Sequence, residues 1–238
     1  MKKTTVALSL LFLTACQQET KQFTHGNISV DIKTGEQWQH SFKLFWGIKV
    51  KNDPQIAIWL EDMEGRYLST VYVSKKIATQ GWIFSGGNRR KEALPYWSHK
   101  RGVQDNDGLY LPSKKAPLPD AITGATPSAD FDLKISQPNG QAQFILKAEF
   151  NHSTDFNDYY PKSAKPGDAG YSGGEEGSGQ PALVYQAVID LSSQQKTFKA
   201  QLIGHSSPNG SNGELFDDLS TITSAKDIVK EIVVDIVD

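Results

Sequence analysis

Apolar and polar residues alternate with a period of two along much of this chain, the pattern of a strand with one buried face. Between Asn27 and Lys33 the apolar positions are Ile28, Val30 and Ile32. Ile56, Ile58 and Leu60 alternate with Ala57, Trp59 and Glu61. After Asp62-Met63-Glu64-Gly65, Tyr67, Ser69, Val71 and Val73 alternate with Leu68, Thr70 and Tyr72. A glycine-containing link between two such runs predicts a hairpin over residues 55–74, with Pro54 limiting pairing at its entry. Phe42 to Val50 predicts a further strand. Phe131 to Ile135, the turn Gln137-Pro138-Asn139-Gly140 and a return strand over Ala142 to Phe150 predict a second hairpin. Leu183 to Leu191 and Thr197 to Ile203 predict a third, and Ile232 to Val237 closes the chain as a strand.

Helical signals are few. Arg89 to Trp97 fits one short helix limited by Pro95. Ser224-Ala225-Lys226-Asp227 resembles a helix start, with an acid three residues after a serine cap. Residues 102–128 are loop-rich. Residues 161–181 hold six glycines and three prolines, which reads as a long mobile or functional loop outside any core. Many short strands with turn signals and little helix predict an all-β fold: a single Ig-like β-sandwich with long loops and one or two short helices. No internal repeat and no obvious second core is visible.

The N-terminus changes the picture. Lys2 and Lys3 precede a short apolar run, Thr4 to Leu13, about half the length of a membrane span. It ends in Leu13-Thr14-Ala15-Cys16, a close match to the lipobox of bacterial lipoproteins. The match predicts a signal peptide over 1–15, a lipidated tether over 16–22 and a β-sandwich domain over 23–238. Cys16 would carry the lipid. Gln17 in the next position favours the outer membrane of a Gram-negative envelope, facing the periplasm, over inner-membrane retention. Cys16 is the chain's only cysteine, so the domain predicts no disulfide, thiolate metal site or thiol nucleophile. Without Lys2 and Lys3, 23 basic and 27 acidic residues leave a net charge of −4. That balance argues against nucleic-acid binding.

Candidate chemistry concentrates in Asp120-Ala121-Ile122-Thr123-Gly124-Ala125-Thr126-Pro127-Ser128. The segment resembles the motif at which periplasmic flavin transferases esterify FMN onto a threonine. The resemblance implies attachment at Thr126. Asp120 matches the leading acid, Thr123 the small hydroxyl residue and Ser128 the trailing hydroxyl. Gly124 and Ala125 leave room for a close approach to the backbone. Pro127 departs from the larger apolar residue usual there, and the FMN-binding domain of known carriers is absent. A flavin transferase and a membrane quinone or haem protein are the partners this implies. The other reading of the same residues is an ordinary turn, since Asp, Thr, Gly and Pro are turn formers. The protein is then a non-catalytic Ig-like binding or assembly module of the cell envelope without cofactor.

A wider resemblance runs through residues 40–238. Gln55 to Asp62, Gly65 to Tyr72, Leu94-Pro95-Tyr96-Trp97, the 120–128 segment, Leu183-Val184-Tyr185, Gly204-His205 and Asp218 to Lys226 occur in an order similar to an uncharacterised family of exported bacterial proteins. That family is often found near PepSY-type membrane proteins and flavin transferases. Membership implies an Ig-like sandwich in the envelope.

Three further patterns carry candidate chemistry. Arg89, Arg90, Lys91, Lys100, Arg101, Lys114 and Lys115, interleaved with Trp82, Phe84, Tyr96 and Trp97, suit an anionic aromatic ligand, although linear clustering fits a solvated basic face over core aromatics better. Gly170-Tyr171-Ser172-Gly173-Gly174 matches a serine-hydrolase pattern, with His152 or His205 as a base, but lacks strand and helix flanks. Glu149, Asn151, Asp155, Asn157 and Asp158 offer oxygens to calcium without EF-hand spacing; turn capping explains them as well.

Overall fold

The computed structural model describes residues 26–43, 49–82, 89–113, 118 and 122–237. Cys16, Phe84, Lys114, Lys115 and Asp120 lie outside them. In chain order the strands and helices are β1 (Ile28–Thr34), β2 (His40–Lys43), β3 (Lys49–Asn52), β4 (Gln55–Glu61), β5 (Tyr67–Ser74), α1 (Lys75–Thr79), α2 (Pro95–Lys100), β6 (Ile122–Gly124), β7 (Phe131–Ile135), β8 (Gln143–Asn151), β9 (Leu183–Asp190), β10 (Thr197–Lys199), β11 (Gln201–Ser206), β12 (Leu215–Phe216) and β13 (Val229–Ile236). They form an all-β sandwich. A four-stranded sheet, β10-β13-β1-β7, faces a seven-stranded sheet, β12-β11-β9-β8-β4-β5-β6, with β2-β3 as a separate hairpin.

The alternation sets the inner layer. Ile28, Val30 and Ile32 of β1 meet Ile56, Ile58 and Leu60 of β4 and Phe144, Leu146, Ala148 and Phe150 of β8 in one apolar cluster. Each of these side chains other than Ala148, fully buried, contributes about 1.5–3 kcal/mol. The β4-β5 hairpin forms as predicted, turning through Gly65 at φ +75°, a conformation that favours glycine.

The other two hairpins are corrected. β7 pairs β1 in the small sheet, while β8 pairs β4 and β9 in the large one, so the Pro138–Gly140 turn carries the chain between sheets. Likewise β10 pairs β13, and only β11 returns to β9. Local alternation fixes which face of a strand is buried but not which neighbour it pairs with. The strand expected over 42–50 is the β2-β3 hairpin. Pro95 begins α2 at its first turn, where the missing N–H costs nothing. Ser224 opens a single 3₁₀ turn without capping it; its hydroxyl donates to Asp155 Oδ1 at 2.7 Å.

β6 runs parallel to β5. Parallel neighbours need a crossover, and here it includes α1 and α2, which pack on the outer face of the large sheet. A second apolar cluster results, with Ala57, Trp59, Val73, Ile77, Leu94 and Trp97. β4 is therefore buried on both faces. The end of the loop 161–181 is packed, while residues 165–169 are exposed. Asp155 bridges to Gly179, and Ser172, Ser178 and Gln180 are buried. A Cβ on Gly179 would meet the Asp155 carbonyl at 2.3 Å, and its φ of +78° suits glycine alone. Among the described residues no helix is long and apolar enough to cross a membrane.

Candidate functional site

The segment after β6 is held from three sides. Parallel pairing in the register Tyr72↔Ile122, Val73↔Thr123 and Ser74↔Gly124 sends residues 75–76 and 125–126 off the same end of the sheet. Tyr72 Oη donates to the Ala125 carbonyl at 3.3 Å. Trp38 Nε1 donates to the Pro127 carbonyl at 2.9 Å, its ring packed against Phe131 and Phe150 in the core. Thr126 Oγ1 donates to the Pro54 carbonyl at 3.0 Å. Thr126 is half-buried and lies beyond the last residue of β6, outside the sheet ladder. Ala125 and Ser128 are exposed and Gly124 is half-buried; the Thr123 side chain lies outside the described residues.

A cavity of about 470 Å³ opens beside this segment, lined by Asp53, Lys75, Lys76, Thr79, Gly81, Ala125 and Thr126. Lys76 Nζ donates to Asn52 Oδ1 at 2.8 Å, and the Asp53 carboxylate accepts from Gln39 Nε2 at 3.2 Å. Partial burial lowers the Lys76 pKa; Asp53 counters this and Arg90 adds to it. The volume is within the range of small-molecule sites.

The described basic residues of the segment 89–115 do not line this cavity. Arg89 is engaged by Asp105 at 2.8 Å and Asp107 at 3.0 Å. Arg90 is buried, paired with Glu92 at 2.8 Å, bonded to Ser178 and set over the Trp82 ring. Lys100 donates to the Gly65 carbonyl, and Arg101 lies over Trp97. Tyr96 and Trp97 are core residues. Lys75 and Lys76 were missed by linear reading because their relation to Thr126 depends on the parallel β5-β6 pairing. The two consecutive lysines at the end of a strand were the available signal.

The other two candidate centres disperse. Ser172 is 2% exposed, and its carbonyl accepts the Ser178 amide at 2.9 Å within a glycine-rich loop, so it lacks the accessible hydroxyl a hydrolase needs. Of the proposed calcium oxygens, Glu149 is bonded to α2, Asn151 donates to the Gln180 carbonyl, and Asn157 donates to the Thr221 carbonyl. No group of three or more His, Cys, Asp or Glu side chains suited to a metal ion occurs among the described residues.

The most ionisable part of the interior lies beneath α2. Glu61 accepts from Trp59 Nε1 at 2.8 Å and lies 3.0 Å from Lys147 Nζ, which also donates to Tyr96 Oη at 2.7 Å. Glu149 accepts from the amides of Trp97 at 2.7 Å and Tyr96 at 3.3 Å. Burial pushes Glu149 up to about 8, against the pull of the Trp97 amide, the Ser206 side chain and the Tyr96 amide. At the far end of β8, burial lowers His152 to about 4, although its Nε2 meets the Gln37 carbonyl at 2.8 Å.

These features define an all-β sandwich with a crossover layer on its larger sheet and a cavity at one end of that sheet. Compared with protein-family models, curated proteins and solved structures, the chain has no match.

Proposed function

We propose that this protein is a lipid-anchored redox carrier of the cell envelope, with FMN esterified through its phosphate to Thr126 Oγ1. The supporting observation is that Thr126 lines a cavity together with Lys75 and Lys76. In the attachment step a flavin dinucleotide serves as donor. Thr126 Oγ1 attacks the phosphorus on the FMN side of its anhydride. The Oγ1–P bond forms, the anhydride P–O bond breaks and the nucleotide monophosphate leaves. The hydroxyl proton passes to a base of the transferase. Esterification ends the bond to Pro54, at a cost of about 0.5–1.5 kcal/mol. The flavin then carries the electrons, and the protein positions it. Lipidation at Cys16 would hold the domain at the outer membrane facing the periplasm. A flavin transferase and a membrane redox protein are the partners. This reading goes with membership of the exported family whose sequence patches the chain resembles.

Expression of the mature protein in a periplasm with a flavin transferase tests the reading. The intact mass should rise by one FMN moiety, and a denaturing gel should fluoresce under ultraviolet light. Both signals should vanish in Thr126→Ala. An unmodified mass under conditions that flavinylate a control carrier overturns the proposal and leaves the cofactor-free binding module.

A further inference from the structure

We infer that Lys75 and Lys76 form an anion site that selects the phosphate of the flavin at the mouth of α1, before any covalent bond is made. The inference rests on the carrier reading for the identity of its ligand. Its geometry comes from the cavity itself. Among the described residues, two lysines and one carboxylate, Asp53, line the cavity, a balance of one positive charge. Asn52 is 6% exposed and accepts from Lys76 at 2.8 Å, which fixes the position of the ammonium. An ammonium has three donor hydrogens. Asn52 occupies one and leaves two for phosphate oxygens. Lys75 and Lys76 are exposed at the start of α1, so a phosphate reaches both without a buried path. Thr126 lines the same cavity, so a phosphate held there lies beside the residue that would be esterified. Asp53 has the wrong sign for phosphate and the right acceptor chemistry for a sugar hydroxyl. Together these features suit a ligand with an anionic group at one point and hydroxyls next to it.

Binding of free flavins to protein made without a transferase tests this, with flavin fluorescence as the readout. FMN and riboflavin differ by the phosphate alone. FMN should bind about tenfold more tightly, since a charge-assisted contact to two ammonium groups is worth that ratio. Raising the salt should shrink the ratio, because exposed charges are screened. Inorganic phosphate should compete with FMN more than with riboflavin. In the double variant Lys75→Gln, Lys76→Gln the ratio should fall to within about twofold. Lys230→Gln, a control on the opposite sheet, should keep the parent ratio. Asp53→Asn should raise FMN affinity. Equal affinities for the two flavins in the parent, or an unchanged ratio in the double lysine variant, overturn the anion site. A retained ratio with no covalent FMN in the transferase experiment overturns the carrier reading and leaves the anion site standing.

Discussion

The two faces of the seven-stranded sheet are buried by different chemistry. The inner face, against the four-stranded sheet, is aliphatic and aromatic: Ile56, Ile58, Leu60, Phe144, Leu146 and Phe150. The outer face, against the crossover, combines Trp59, Val73 and Trp97 with Glu61, Lys147 and Glu149. Inner-face packing is non-directional and follows from burying apolar area. On the outer face each ionisable group has a geometric partner, and loss of one partner leaves a buried charge. The same sheet thus has one face held by apolar packing and one whose stability depends on paired polar groups.

The largest effect should come from breaking the buried pair. Lys147→Ala strands Glu61, which has no solvent exposure, and should cost about 3–5 kcal/mol in urea denaturation. Adding Glu61→Leu should recover at least half of that loss. Phe144→Ala on the inner face should cost a similar amount, about 3–5 kcal/mol, with no second substitution at hand to restore it. Failure of Glu61→Leu to recover stability in the Lys147→Ala background would mean the outer face is held by packing alone.

The pH dependence separates the faces next. The folded-state pKa of Glu149 rises from 4.5 to about 8. Its contribution is fully present below pH 4.5 and is lost as pH rises to about 8, on the order of 5 kcal/mol. The folded-state pKa of His152 falls from 6.5 to about 4. Its contribution is present above pH 6.5 and is lost as pH falls toward 4, on the order of 3 kcal/mol. Between pH 4.5 and 6.5 the two slopes oppose each other. Glu149→Gln should unmask a stability that rises with pH across that window. A Glu149→Gln profile superimposable on the parent would sink this account.

Smaller effects concern the segment at the cavity. Trp38→Phe removes the indole donor to Pro127 and should cost about 0.5–1.5 kcal/mol. Amide exchange at Ala125 and Thr126 should speed up, while β4 keeps its protection. Ser128→Ala, at an exposed position, should change stability by less than about 0.5 kcal/mol. A larger loss would show that Ser128 anchors the segment as Trp38 does.

The inner face was legible because burial on one side imposes a period of two. Ile28, Val30 and Ile32, and the β4-β5 hairpin, sit where alternation predicted them. The outer face was not legible. Trp59 and Glu61 read as the solvent side of a strand, yet both are fully buried beneath the crossover. Nothing local distinguishes a polar residue facing water from one facing a partner distant in sequence. The basic segment misled for the same reason: Arg89 and Arg90 are satisfied by Asp105, Asp107 and Glu92. The cavity cations came from α1, a helix that the strand-like pattern around it concealed.

The sequence by itself determined the all-β class, the buried face of most strands and the chemical types in the 120–128 segment, because these depend on side-chain periodicity and on the residues' own chemistry. Tertiary structure decided which sheet β7, β8 and β10 join, that the large sheet is covered twice, and that Thr126 shares a cavity with Lys75 and Lys76. Those relations connect residues distant in sequence, such as Ile28 with Ile135 and Gln55 with Asn151, through hydrogen-bond register between strands. Register is a property of the paired backbones and of the crossover between them, so no single stretch of sequence contains it.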